Sequence, residues 1–151
     1  MNKKKRILII LIVLTLAFIW GHSLIDREHS AEESRWVMKL VTPLLELFVG
    51  RGNVTDHLVR KLAHFCEFAL LGAELMWFWS LDAGCREVLS RRAFLLSAAH
   101  GIFAAMTDET IQIFTGRGPM LQDVWLDSSG ALSGALFTTL ILIIAAGNRK
   151  R

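Results

Sequence analysis

Cysteine and proline are scarce in this chain of 151 residues, which has two of each, and tyrosine is absent. Cys66 lies near one end of an apolar run, and Cys85 lies in the loop beyond its other end. A helical run of about 20 residues is roughly 30 Å long, so the two side chains are expected to stay apart. We predict two free thiols and no disulfide framework.

Common catalytic and nucleotide-binding motifs are also missing, since no GxGxxG, P-loop, GxSxG or HExxH pattern occurs. The basic residues form short clusters that flank apolar runs, which does not favour a nucleic-acid partner. His22, His29 and His57 are scattered, and their spacing predicts no metal site.

Apolar residues, by contrast, make up 53% of the chain and are concentrated in four runs, at about 7–25, 62–81, 93–114 and 124–146. Each run is long enough to cross a bilayer as a helix. The prediction is an all-α, polytopic membrane bundle of four transmembrane helices, which forms a single domain over 1–151. We interpret the first run as an uncleaved span, because no small-x-small cleavage site follows Trp20.

The segment between the first two runs is amphipathic. From Trp36 to Val49 its apolar residues fall on one helical face. Pro43 is expected to split or kink this helix, and Gly50 and Gly52 are expected to end it. We predict an extracytoplasmic helix that lies along the membrane surface or packs on the bundle.

The distribution of charge predicts the topology. Placing both termini and the 82–92 loop in the cytoplasm puts ten basic residues there against two acidic ones. The opposite arrangement violates the positive-inside rule. We therefore expect a multi-pass protein of the cell membrane with both termini cytoplasmic and residues 26–60 outside.

Ionisable residues inside these runs identify the candidate site. A charge in hydrocarbon costs about 2.5–3.5 kcal/mol on insertion scales, so such residues are expected to face inward and to meet partners. On each of the last three spans these residues share one helical stripe. The stripe of the second span contains Arg60, His64, Glu67, Leu71 and Glu74, and that of the third contains Asp108 and Gln112, which are one turn apart. The stripe of the fourth span contains Asp123, Asp127, Gly130 and Gly134. All three stripes are predicted to converge beneath the outer surface, and the two glycines predict close helix packing.

Three segments, KLAHFCEF, DETIQIFTGRGPMLQD and DSSGALSG, resemble the VanZ-like family of small membrane proteins. The resemblance covers nearly the whole chain. It rests on Lys61, His64 and Phe65; on Asp108, Glu109 and Gln112; on Arg117; and on Asp123, Asp127, Gly130 and Gly134. Phe68 departs from the pattern, because relatives often carry tyrosine there. The family is named for low-level resistance to the antibiotic teicoplanin, so the resemblance implies an envelope protein without implying a reaction.

The charges of the predicted site do not balance, and this leaves several functions open. Three cations face five carboxylates: Arg60, Lys61 and Arg117 against Glu67, Asp108, Glu109, Asp123 and Asp127. One hypothesis is a salt-bridge network that only ties the helices together. The surplus of negative charge instead favours protonated acids, a bound cation or access of water.

A second hypothesis is a membrane enzyme that acts on an outer-leaflet lipid or a lipid-linked cell-wall intermediate. His64 would serve as acid and base, since imidazole titrates near neutral pH. Asp108 and Glu109 would orient it or hold a divalent cation, and Lys61 and Arg117 would bind phosphate.

A third hypothesis is a non-catalytic binder of a lipid headgroup or a glycopeptide. Lys61, Gln112, Arg117, Asp123 and Asp127 are the candidate ligand-binding residues for either function. A fourth hypothesis, a proton or ion pathway, needs the deeper Glu74 and His100, which are expected to pair with each other if they are not merely packing residues.

Overall fold

In a computed structural model the chain is described over residues 3–24, 38–48, 50–82, 91–115 and 121–148. These residues form five helices and no strand, which confirms the all-α class. The helices are α1 (Lys3–Leu24), α2 (38–48), α3 (Asp56–Ser80), α4 (Arg91–Phe114) and α5 (Leu121–Asn148). Each predicted apolar run lies almost entirely within one of the four long helices.

Two of the long helices, α1 and α5, are apolar and long enough to cross a membrane by length and composition. Most of each is uncovered by the rest of the protein, since 17% of the apolar window of α1 and 28% of that of α5 are buried. Large side chains such as Leu14, Phe18 and Phe137 are accordingly exposed. An apolar surface of this extent is typical of a membrane protein.

The bundle is built on close packing between α3 and α5, which share the most extensive interface, while α4 packs on both and α1 packs on α3 and α4. Small residues allow this approach. Gly134 lies against the backbone of Ala69, Gly130 against that of Phe65, and Gly72 against that of Ala131. The close contact expected from Gly130 and Gly134 is therefore present, and its partner is α3.

The helices run in alternating directions, which defines two ends of the bundle. At the end that we call the site end, α1 and α4 finish and α3 and α5 begin. Thr115, just after α4, donates a hydrogen bond to the carbonyl of Ser23 in α1 at 3.2 Å. At the opposite end, Lys5 of α1 forms an ion pair with Asp82, just after α3.

The apolar core lies between α1, α3, α4 and α5. Phe68 is fully buried there, beside Ile19, Leu71 and Ala105. A tyrosine hydroxyl at this position would require a polar partner, and the phenyl ring of this chain does not.

The described part of α2 differs from the prediction in one respect. Residues 38–48 are helical throughout, so Pro43 does not split the helix; the proline removes one backbone donor, but its neighbours keep the helical conformation. Gly50 ends the segment as predicted, since it has a φ of 86° and donates its N–H to the carbonyl of Glu46 at 3.0 Å. Residues 36, 37 and 49 lie outside the described residues.

Candidate functional site

The start of α3 places the first polar residues of the site. Thr55 caps the helix, because its hydroxyl accepts the N–H of Leu58 at 3.2 Å. Arg60 pairs with Asp56 one turn earlier, at 3.2 Å between Nε and Oδ2. Arg60 was expected to neutralise the carboxylates of the site, but it pairs instead with an aspartate of its own helix.

The centre of the candidate site is a group of three side chains from three helices. His64 of α3, Asp108 of α4 and Asp127 of α5 each offer a ligand atom, and these atoms all lie within 4.8 Å of one another. Asp108 and Asp127 are buried to 1% exposure or less. The three predicted stripes thus meet at one point, which we call the central cluster (His64, Asp108 and Asp127).

Asp108 is oriented by its own helix. The side-chain amide of Gln112, one turn later, donates to Asp108 Oδ2 at 2.8 Å. The other oxygen, Asp108 Oδ1, is buried and has no hydrogen-bond partner among the described residues, and the same holds for Asp127 Oδ1. Buried polar atoms are nearly always satisfied in folded proteins, so these two oxygens are candidate contacts for a bound ion, a water molecule or a ligand.

An ion pair closes one side of the site. Lys61 Nζ lies 2.9 Å from Asp123 Oδ1, which links the first turn of α5 to α3. The two side chains are 27% and 26% exposed, so the pair is partly buried. Arg117, the third predicted cation, lies outside the described residues.

Negative charge dominates the electrostatics of the site. The electrostatic repulsion acting on Asp127 comes from Asp108 first, then from Asp123, Glu109 and Glu67. Glu109 is itself buried on α4 beside Asp108. Among the described cations, Lys61 pairs with Asp123 and Arg60 pairs with Asp56. Since Arg117 lies outside the described residues, the imbalance expected from the sequence stays a prediction.

Helix α1 also contributes to the site, which the sequence did not predict. His22, which was interpreted as one of several scattered histidines, lies edge-on to His64 with 6.4 Å between ring centroids. Ser23 beside it is fully buried. The signal was available, because His22 and Ser23 are polar residues at the end of an apolar run and hence at the depth of the other site residues.

The deeper residues Glu74 and His100 do not behave as expected. Glu74 accepts a hydrogen bond from Thr15 of α1 at 3.2 Å. His100 is exposed, with Nδ1 2.7 Å from the carbonyl of Leu96 and its ring 5.3 Å from that of Trp79. Glu74 and His100 thus contact different groups, and no hydrogen bond or ion pair joins them among the described residues. The ion-pathway hypothesis stays a prediction.

Comparison with known proteins agrees with the resemblance noted in the sequence. A family model described as VanZ/LLP1 matches residues 8–143, which include every described residue of the central cluster and its surroundings. No curated protein and no solved structure matches the chain. The matched region covers most of the chain, and the chain therefore belongs to the VanZ/LLP1 family.

Proposed function

We propose that this chain is a four-span membrane protein of the cell envelope that binds the headgroup of an outer-leaflet lipid or lipid-linked cell-wall intermediate. The observation that carries the proposal is the central cluster, where the half-buried His64 of α3 meets the buried Asp108 of α4 and Asp127 of α5 at one end of an apolar bundle. Intramembrane ionisable groups that face one another mark functional sites by default.

The four-span arrangement is supported by packing. On α3 and α4 the ionisable residues Glu74, Asp108 and Glu109 are buried, while other faces of the same helices expose apolar side chains such as Leu70, Leu95 and Phe103. A helix whose charges are covered by neighbouring helices and whose outer face is apolar can lie in lipid. With the basic termini inside, the site end is extracytoplasmic.

The topology can be tested with single cysteines in a background without Cys66 and Cys85. Cysteine at Gly52 or Gln122, both exposed at the site end, should react with a membrane-impermeant maleimide in intact cells. Cysteine at Lys3 should react only after permeabilisation. If position 3 is labelled in intact cells while positions 52 and 122 are protected, the site faces the cytoplasm and the proposed ligand is wrong.

The charge of the site restricts which headgroups can enter. Carboxylates accept hydrogen bonds from hydroxyl and amine groups directly, while a phosphate is repelled unless a cation accompanies it. Lys61 at the rim provides one such cation.

Headgroup binding can be measured on the purified full chain in lipid nanodiscs. Each preparation would contain phosphatidylethanolamine, phosphatidylglycerol or a polyprenyl-phosphate cell-wall precursor, and native mass spectrometry would count retained ligands and any product. We expect selective retention of one class, reduced roughly 5- to 150-fold by Asp127→Asn, since a buried group that loses its partner costs about 1–3 kcal/mol. Asp56→Asn is the matched control, because it removes the same charge from the exposed start of α3.

Two results contradict the proposal. Equal retention by the wild type, Asp127→Asn and Asp56→Asn would show that the lipids are not bound at the central cluster. Binding of soluble teicoplanin without retention of any lipid class would indicate capture of a glycopeptide instead.

One observation favours the second candidate, a network that only ties helices together: the ion pair between Lys61 and Asp123 joins α3 to α5. Asp108 and Asp127, however, have no ion-pair partner within 4.0 Å among the described residues. A purely structural role predicts that Asp127→Asn changes stability and leaves ligand retention per folded molecule unaltered.

A further inference from the structure

The central cluster has the composition of a metal-binding site. It brings together one imidazole nitrogen, from His64, and carboxylate oxygens from Asp108 and Asp127. Each donor comes from a different long helix, so the three residues are held by the framework of the bundle rather than by a loop. Nitrogen and carboxylate oxygen are the donors that divalent metal ions prefer in proteins.

The distances are close to those of a coordination shell. The donor atoms lie within 4.8 Å of one another. Metal–ligand bonds to histidine and carboxylate are about 2.0–2.2 Å long, so two ligands of a tetrahedral ion stand about 3.4 Å apart. The donor atoms of the cluster would therefore have to approach one another by up to about 1.4 Å to close around one ion.

Two further observations point to a ligand rather than to a set of acids in mutual contact. The Oδ1 atoms of Asp108 and Asp127 are both buried and lack a hydrogen-bond partner among the described residues. Gln112 holds the other oxygen of Asp108 at 2.8 Å, which leaves Oδ1 available. Metal ligands are commonly oriented by such an outer hydrogen bond.

Carboxylates of three helices surround the central cluster, and a cation there would offset their charge. Asp108, Asp123, Glu109 and Glu67 all act electrostatically on Asp127, while Lys61 is paired with Asp123. Buried like charges are costly unless a counter-charge or protonation compensates them. A divalent ion between His64, Asp108 and Asp127 supplies the counter-charge where the repulsion is concentrated.

We infer that the central cluster binds one divalent first-row metal ion, of the Mn²⁺ or Zn²⁺ class, through His64, Asp108 and Asp127. The imidazole favours these ions over Mg²⁺ and Ca²⁺, which select oxygen ligands. The expected pair of Asp108 with Glu109 as cation ligands is thereby replaced by Asp108 with Asp127 on the neighbouring helix. Three protein ligands leave at least one coordination position open.

The inference deepens the proposed function and rests on the same cluster, because an ion there allows a phosphate-bearing headgroup to approach otherwise negative surroundings. Metal binding itself needs no lipid, so it can be measured separately.

The test uses the full chain in detergent, stripped with a chelator and then equilibrated with Mn²⁺ or Zn²⁺ alone. After gel filtration, mass spectrometry of the eluted metal should give about one ion per wild-type chain. Asp127→Asn and His64→Gln should each weaken the affinity at least about tenfold. Asp56→Asn should bind like the wild type, and competition by excess Mg²⁺ should be weak.

A spectroscopic measurement avoids dependence on the folding of variants. Electron paramagnetic resonance of wild-type protein loaded with Mn²⁺ should show coupling to one imidazole nitrogen, and its absence would rule out His64 as a ligand. Stoichiometric uptake that survives unchanged in Asp127→Asn would also overturn the inference. No uptake by the wild type would do the same, and would show that the acids are compensated by shared protons.

The two proposals fail separately in these experiments. If the metal binds but Asp127→Asn retains lipid as the wild type does, headgroup binding at the cluster is wrong and the metal site stands. If lipid retention depends on Asp127 while no metal binds, the proposed function stands without the ion.

Discussion

Substitution of Gly134 by alanine should destabilise the bundle, because the added methyl group has no room. A Cβ atom at Gly134 would fall on the carbonyl oxygen of Ala69, well inside the 3.0 Å that Cβ atoms keep from other heavy atoms. The obstacle is the backbone of a packed helix, so no side chain can rotate to relieve it. The two helices must separate along their most extensive interface.

The magnitude follows from two opposing effects. Alanine in place of glycine favours a helix by about 0.5–1 kcal/mol, while overpacking costs about 1–3 kcal/mol, and here the upper value applies because backbone must move. The net loss is about 2 kcal/mol. For a chain of this size that lowers the midpoint of thermal unfolding by roughly 4–8 °C.

The assay is thermal unfolding of purified protein in one detergent, followed by gel filtration of the remaining folded fraction. Gly147→Ala is the matched control in the same helix, since nothing lies within 4 Å of the place that its added methyl group would take; it should not lower the midpoint. A Gly134→Ala protein as stable as the wild type would refute the reasoning, because it would mean that α3 and α5 do not touch where the structure joins them.

Two further predictions concern the ends of the bundle. Lys61→Ala should lower the free energy of unfolding by about 1–2 kcal/mol, between the values for exposed and buried ion pairs, because Asp123 is left partly buried without its partner. Thermal unfolding measures this loss, with Lys39→Ala as the exposed control. Equal losses of stability in both variants would contradict the prediction. Cysteines at Lys5 and Asp82 should be joined by a short bismaleimide, because these residues form an ion pair across α1 and the end of α3, and failure to join them in folded protein would place the start of α1 elsewhere.

Helix positions could be predicted from the sequence because apolar runs of membrane-spanning length have few alternatives. The meeting of His64, Asp108 and Asp127 followed from depth and helical phase, since polar groups in an apolar bundle are expected to face inward. Depth and helical phase describe each helix separately, so they do not predict which partner a side chain chooses. Arg60 could pair with Asp56 on its own helix or with carboxylates of other helices, because all of them lie at the same end of the bundle.

The missed residues have a similar physical cause. His22 and Ser23 end α1, and periodicity assigns them no inward direction because α1 is apolar on all sides. Their place beside α3 depends on how α1 packs, which is tertiary information. The hydrogen bond between Glu74 and Thr15 likewise depends on tertiary packing, because it forms only when α1 places Thr15 beside the middle of α3.

The glycines of α5 and the central cluster are parts of one arrangement. Aspartate has a single methylene group, so Asp127 can reach His64 only if the backbones of α5 and α3 are close. Gly130 provides this approach, because its backbone lies against that of Phe65, the residue after His64, and Asp127 is one turn earlier on the same face. A methyl group at this contact would separate the donors of the cluster while leaving every ionisable residue in place. In this chain the aspartates and the spaced glycines of α5 therefore meet a single requirement, because short carboxylates need a close helix pair to share one site.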